Sequence, residues 1–374
     1  MTDVTVVAHD VGSVGGMERV LAELIIGLAK LGHRVTVISR TCVLPRVDGV
    51  TFHRVRGPAR PFLLAYPWFM IAGSLLLARR RRGVVDVTGA IVLNRVDIVS
   101  VHYCHRVGPS DPSRASLLFR LHARIVKLLA RTGERLCFHT NRPARIVCVS
   151  RGVADEVRAH YPALAPRVMT IHNGVDVDTF APGARREEAR EWRRRLAIPD
   201  DAPVAAFVGS EWHRKGLEPS IAALAEAPSW VLVVAGSGDE RRYRELSASL
   251  GSADAVRWLG TTQDVQLVYA LADAFVLPSS YETFSLVTFE AAASGLPLLA
   301  TRVSGIDELI EDGRNGFFIT RDPHEIARRL RELSNAQLRR RLGEGARESA
   351  LGFSWAEMVS RHNRLYAQLA AQRR

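Results

Sequence analysis

The segment Tyr281-Glu282-Thr283-Phe284-Ser285-Leu286-Val287-Thr288-Phe289-Glu290 carries two carboxylates, one at each end of an otherwise uncharged run. It follows a buried strand and leads into an apolar helix through Ala293, so Glu282 is predicted in the loop and Glu290 about two turns along the helix. A carboxylate accepts two hydrogen bonds from a vicinal diol, which is how an acid holds a ribose. Amides at the helix start, around Phe284, Ser285 and Leu286, can hold phosphate. Glu282 alone would also suit a helix amino end, where the dipole favours a negative charge. Glu290 lies between Phe289 and Ala291 in an apolar helix and needs another reason.

A second constellation is Gly209-Ser210-Glu211-Trp212-His213-Arg214-Lys215-Gly216, between a strand and a helix. Arginine supplies forked donors and lysine a mobile point charge, a pair that can neutralise a diphosphate. A solvated basic loop is the competing reading. Earlier in the chain, Asp10-Val11-Gly12-Ser13-Val14-Gly15-Gly16 joins the first strand to a helix, and its small residues would let a ligand approach the backbone. The pattern is not G-x-G-x-x-G, and the second strand ends Ile38-Ser39-Arg40 without the acid a dinucleotide ribose requires. His102 leaves a central strand at its carboxyl end, where ligands sit in open α/β sheets. Neither His102 nor His105 has partners at a metal-ligand spacing, so no metal is expected there. Asp176-Val177-Asp178 spells D-x-D but belongs to a turn. With cations already present as side chains, no divalent ion is needed in principle.

These loops must be positioned by strands alternating with helices, the pattern of parallel sheets with crossover connections. Strands are predicted near residues 3–8, 34–39, 50–55, 84–88, 97–101, 145–149 and 168–171, and again at 204–208, 230–235, 256–259, 274–277 and 298–300. Between the two series, Asn173–Asp201 reads as a turn-rich linker followed by a charged surface helix. Two open α/β sheets fit 374 residues better than one long sheet.

Charge is one-sided. Residues 1–172 carry +14 and residues 173–374 carry −2, within a total of +12. A basic first half suggests that this half meets an anionic partner, among which nucleic acid, lipid and a phosphorylated acceptor are candidates. A generally arginine-rich composition is the plainer account. Cys42, Cys104, Cys137 and Cys148 show no paired spacing and suit a reducing compartment. The opening segment Thr5-Val6-Val7-Ala8 reads as a buried strand with no basic region before it, so no signal peptide is expected. Pro61–Ala78 is nearly all apolar and precedes Arg79–Arg82, but two prolines near its start favour a buried or interface-lying helix over a span. Ser113–Arg131 places Leu117, Leu121, Ile125 and Leu128 on one stripe and Arg120, Arg124, Lys127 and Arg131 on the next, as a basic amphipathic helix on a lipid surface would. A helix packed on the sheet with a solvated basic face fits the same spacing.

Together these stretches resemble the family-4 retaining glycosyltransferases. The matching residues are Gly12–Gly16, Val101-His102, Val149-Ser150 with Gly152-Val153, His172-Asn173-Gly174-Val175-Asp176 with Phe180, Arg214-Lys215-Gly216, and the E-x7-E segment from Glu282 to Glu290. The wording of residues 208–217 is also similar to enzymes that add glucose to lipopolysaccharide core. The resemblance implies the GT-B fold: two facing Rossmann-like α/β domains with parallel sheets, residues 1–172 and 173–352. A final helix, 353–374, then returns to the first domain. It implies a nucleoside-diphosphate sugar as co-substrate, no further cofactor, and retention at the anomeric carbon. By position, Glu290 binds ribose hydroxyls, Glu282 orients the sugar, and Arg214 and Lys215 stabilise the leaving diphosphate. Amides around Gly15-Gly16 and Phe284-Ser285-Leu286 contact sugar and phosphates, and His102 lies beside the donor sugar. Ser210 stands where many members carry arginine, which leaves Arg214 and Lys215 as the nearby cations.

A glycan or lipid-linked acceptor, an anionic membrane surface as partner, and a cytoplasmic, peripheral location are the corresponding expectations. Two alternatives remain: a sugar-nucleotide epimerase of the same fold, and a non-catalytic protein binding a membrane or nucleic acid. Paired acids argue against nucleic acid as a partner, because binding an anion needs none.

Overall fold

The structure, a computed structural model, describes residues 2–13, 15–107, 117–262 and 264–373, without the side chains of 117–120. The chain divides into two compact units, Met1–Gly174 with Trp355–Arg374, and Val175–Ser354.

In the first unit the strands are β1 (Asp3–Val7), β2 (Asp10–Val11), β3 (Arg34–Ser39), β4 (Thr41–Cys42), β5 (Val50–Arg54), β6 (Val84–Thr88), β7 (Ile98–Val101), β8 (Arg145–Cys148) and β9 (Val168–Thr170). Among the described residues seven of them form one sheet in the order β5-β3-β1-β6-β7-β8-β9, and each adjacent pair is parallel. The interior strands are valine- and isoleucine-rich and buried along their length, as a sheet covered on both faces requires. The two-residue strands β2 and β4 pair apart from that sheet, and their length gave no period to read.

Its helices are α1 (Gly16–Lys30), α2 (Phe62–Arg80), α3 (Leu117–Asn141), α4 (Arg151–His160) and, from the end of the chain, α14 (Trp355–Ala371). Val20, Leu21, Leu24, Ile25 and Leu28 of α1 are buried, the face that the helical period predicts. α14 packs on α1, where a Cβ on Gly27 would lie 2.5 Å from Val359 Cγ2.

Two helices need closer description, and the second of them a corrected end. α2 buries Tyr66, Phe69, Met70 and Leu77, yet Leu64, Trp68, Ile71 and Leu75 on its other side are 62, 51, 60 and 56% exposed. It is long and apolar enough to cross a membrane, but one face is packed into the protein. α3 runs ten residues past the predicted end at Arg131, because Ala130, Glu134, Cys137 and Phe138 continue a buried face. Residues 113–116 of the predicted helix lie outside the described residues. α3 approaches α2 at Gly133, where a Cβ would meet Tyr66 Oη at 2.5 Å.

The second unit holds β10 (Val204–Val208), β11 (Val231–Ala235), β12 (Val256–Gly260), β13 (Ala274–Leu277), β14 (Leu298–Ala300) and β15 (Gly316–Phe318), in the sheet order β12-β11-β10-β13-β14-β15. All its strand pairs are parallel. Its helices are α5 (Arg186–Arg195), α6 (Trp212–Lys215), α7 (Leu217–Ala223), α8 (Glu240–Ser249), α9 (Val265–Leu271), α10 (Leu286–Ala293), α11 (Ile306–Leu309), α12 (Pro323–Glu332) and α13 (Ala336–Leu351). β15 was not predicted: three residues after a turn carry no alternation. At the carboxyl ends of β10, β11 and β12 stand Gly209, Gly236 and Gly260, all at positive φ. At Gly236 the geometry demands glycine, since a Cβ would fall 2.0 Å from the Gly209 carbonyl oxygen.

Candidate active site

In the second unit the loop after β13 and the loop after β10 converge on one carboxylate. Glu282 is buried, and its Oε1 accepts from Lys215 Nζ at 2.9 Å, Ser279 Oγ at 3.0 Å and Arg214 at 3.3 Å. Lys215 is itself buried. Arg214 also forks onto Glu211 at 2.7 and 3.0 Å and donates to the Tyr281 carbonyl. Burial works against the guanidinium charge, but Glu282 and then Glu211 outweigh it and raise its pKa. The predicted cluster of Glu282, Arg214 and Lys215 is therefore one contiguous group. Ser279 and Glu211, to which the sequence assigned no role, complete the group, and each stands three residues from its partner.

Glu290 lies buried on α10 and accepts from Tyr269 Oη at 3.0 Å. Tyr269 is on α9, 21 residues upstream, and no local spacing announces it. Ser285 caps α10 from a left-handed conformation, φ 68°, and its hydroxyl meets the Thr288 hydroxyl at 2.9 Å. Gly305 explains why this loop can be so closely covered, since a Cβ there would lie 2.5 Å from Phe284 Cα. Phe284 stacks on Phe289 with centroids 4.1 Å apart, fixing the start of the helix whose first amides are free of intrahelical partners by geometry. Ser210, which stands where many members of the resembled family carry arginine, is exposed and pairs with the Ser237 hydroxyl at 2.9 Å.

The other predicted site residues belong to the first unit. Gly15 precedes α1 at φ 93°, and Gly16 opens the helix. His102 follows β7, and burial pushes its pKa down to about 4, helped by His362. His362 belongs to a buried polar group reaching from α14 to the sheet. Asp86 accepts from Tyr366 Oη at 2.7 Å and Ser100 Oγ at 2.8 Å, and burial raises its pKa. The loop after His102 is pinned to α3: Glu134 accepts from the His105 amide at 3.2 Å and from Tyr161 Oη at 2.6 Å. Arg131, predicted on the outward basic stripe, turns instead to that loop and donates to the carbonyls of Arg106 and His105 at 2.8 and 3.3 Å. Buried carbonyls need donors, and a long guanidinium supplies them.

Asp176 is occupied as a turn residue, accepting from the Thr179 amide at 2.9 Å, the Thr179 hydroxyl at 2.7 Å and the Asp178 amide at 3.2 Å. Among the described residues no three His, Cys, Asp or Glu side chains gather as metal ligands would.

The architecture is that of the GT-B glycosyltransferases. WaaG, a glycosyltransferase involved in lipopolysaccharide biosynthesis, is similar at TM-score 0.78 and 21% identity, covering 96% of this chain and 98% of that one. HepE of Anabaena, solved in complex with UDP-glucose, is similar at TM-score 0.72 and 18% identity over 100% of both chains. Residues 14–179 match Glycosyltransferase Family 4, and residues 188–349 match Glycosyl transferases group 1. The chain belongs to this glycosyltransferase family.

An uncharacterized glycosyltransferase of Methanocaldococcus jannaschii is 29% identical over 84% of each chain. The D-inositol 3-phosphate glycosyltransferase of Thermobifida fusca is 34% identical over 58% of this chain, a stretch that spans 53% of that protein's length.

Proposed function

We propose that this protein moves a sugar from a nucleoside-diphosphate sugar to a hydroxyl acceptor, with retention at the anomeric carbon and without a metal ion. The observation that carries the reading is the convergence of Lys215 and Arg214 on buried Glu282. Leaving-group departure develops negative charge on the diphosphate. Two cations fixed by a carboxylate, together with the first amides of α10, can meet that charge without reorganising. Glu282 then accepts from sugar hydroxyls and Glu290 from the ribose diol. The Anabaena protein of the same fold, solved with UDP-glucose, supports a sugar nucleotide as donor class.

Retention is what the family resemblance implies. Among the described residues the site presents no pair of groups arranged as nucleophile and base, so a covalent intermediate is not invoked. Incubation with a panel of sugar nucleotides, with and without acceptor extracts, tests the reading. Transfer that requires acceptor, with an early product of unchanged anomeric configuration by NMR, is expected. Sugar isomerisation with donor alone would install the epimerase, which no observation here favours.

We further place the acceptor at an anionic membrane surface, with the protein peripheral on its cytoplasmic face. This is supported by two neighbouring helices with outward apolar stripes: Leu64, Trp68, Ile71 and Leu75 on α2, and Leu121, Ile125 and Leu128 on α3. Arg79–Arg82 and Arg124 flank them with positive charge. A soluble helix packed on its sheet turns such stripes inward.

A further inference from the structure

In the first unit, two adjoining cavities of about 680 and 450 Å3 open at the carboxyl ends of β1, β3 and β5. They share Arg40, Ala59 and Arg60. One is walled by His9, Pro61, Phe62 and Tyr66, the other by Arg54 and Arg56. Four arginines therefore border the pair of cavities and a single carboxylate, Asp10, stands among them.

Asp10 is already committed, to Arg40 and to the Thr41 hydroxyl at 2.7 Å. Among the described residues no carboxylate pairs with Arg54, Arg56 or Arg60. Two buried nitrogens also lack a partner, Nδ1 of His9 and Nε of Arg40. A buried donor or acceptor left unpaired costs free energy, and a bound polar group can repay it. Burial, and then Arg40, push the His9 pKa down to about 4, so its ring is neutral near pH 7 and can accept from a hydroxyl. The lining of the first cavity is partly aromatic: Phe62 stacks on Tyr66 at 5.1 Å, and His9 is held edge-on at 4.5 Å by Phe69, which lies outside the lining.

We infer that these cavities bind the acceptor through a phosphate ester of a polyol. The unpaired guanidinium groups would fork the phosphate oxygens, the aromatic wall would cover the ring's C–H face, and His9 would take a ring hydroxyl. This rests on reading the chain as a glycosyltransferase. The ester can come from a soluble sugar phosphate or from a phospholipid headgroup, since the same chemistry recognises both.

The test uses the full chain and two arms. In the first, calorimetry compares glucose 6-phosphate with glucose. In the second, sedimentation compares phosphatidylcholine vesicles containing phosphatidylinositol with vesicles made equally anionic by phosphatidylglycerol. Binding of UDP is followed in both as a separate readout of the second unit, with circular dichroism as the check on folding. A preference for the phosphorylated polyol in either arm, reduced about tenfold or more in R54Q/R60Q while UDP binding stays, is expected. Preference in the first arm assigns a soluble acceptor, and preference in the second alone assigns a lipid-linked one. Absence of preference in both arms, or a preference untouched by R54Q/R60Q and equally by R56Q, overturns the inference. In either case UDP binding reports separately on the glycosyltransferase reading.

Discussion

Lys215 Nζ meets Glu282 Oε1 at 2.9 Å, and the lysine stem reaches it by crossing Gly209 so closely that a Cβ there would lie 2.6 Å from Lys215 Cδ. A backbone feature at the end of β10 thus decides where a cation from α6 stands. Gly209→Ala is expected to displace the ammonium and lower turnover while the unit stays folded. Lys215→Ala should lower kcat by about 100-fold, the scale of losing one preorganised charge partner. Steady-state kinetics with whichever sugar nucleotide that panel selects measures both, and wild-type turnover in folded Lys215→Ala would remove the lysine from the reaction.

Glu290→Ala should weaken nucleotide binding by about 1–3 kcal/mol, the scale of hydrogen bonds lost to a carboxylate. Tyr269→Phe, which removes only the hydroxyl held at 3.0 Å from Glu290, should weaken it less. Calorimetry with nucleoside diphosphates reads both. An unchanged affinity in Glu290→Ala counts against the ribose role.

Transfer should survive chelation, because Arg214, Lys215 and helix amides suffice to meet the diphosphate charge. An assay after EDTA treatment checks it. Loss of activity restored by magnesium or manganese would mean that an ion takes part, and Asp176 would then have to leave its turn.

Acid should destabilise the first unit through His9 and His102. Both have a folded pKa of about 4 against an ordinary value of 6.5, so between these values the unfolded chain binds more protons than the folded one. Their contribution is complete above about pH 6.5 and is lost as pH falls toward 4, on the order of 1–3 kcal/mol each. Asp86 acts oppositely: its raised pKa favours the fold at low pH and loses that advantage as pH rises above 3.8. Urea unfolding followed across this range should show a slope that flattens in His102→Gln. A variant with an unaltered slope would mean that His102 is not held neutral.

Vesicles containing phosphatidylglycerol should retain the protein at low salt better than phosphatidylcholine alone, and moderate salt should release part of it. Substituting Trp68 and Ile71 by glutamate should reduce retention about tenfold, since it removes apolar area that the bilayer would cover. Equal retention by neutral and anionic vesicles would separate the basic surface from membrane binding.

Much of the architecture was legible in the chain. Runs such as Val204–Val208 and Val231–Ala235 are apolar throughout because both sheet faces are covered, and Val20 to Leu28 repeats at the helical period because one face is buried. The E-x7-E segment was equally plain, since a loop acid and a buried helical acid stand within one local stretch. Local order determined these features.

What only the tertiary structure decided is which distant groups meet. Lys215 and Glu282 are separated by 67 residues, and Asp86 and Tyr366 by 280. Neither pair leaves a local period, because it is the adjacency of β10 and β13 that joins the first and the packing of α14 on β6 that joins the second. The same holds for exposure. The α2 segment is apolar all round, so its sequence does not distinguish the face with Tyr66 and Phe69 from the face with Trp68 and Ile71. Only packing against the rest of the unit assigns one to the interior and leaves the other outside.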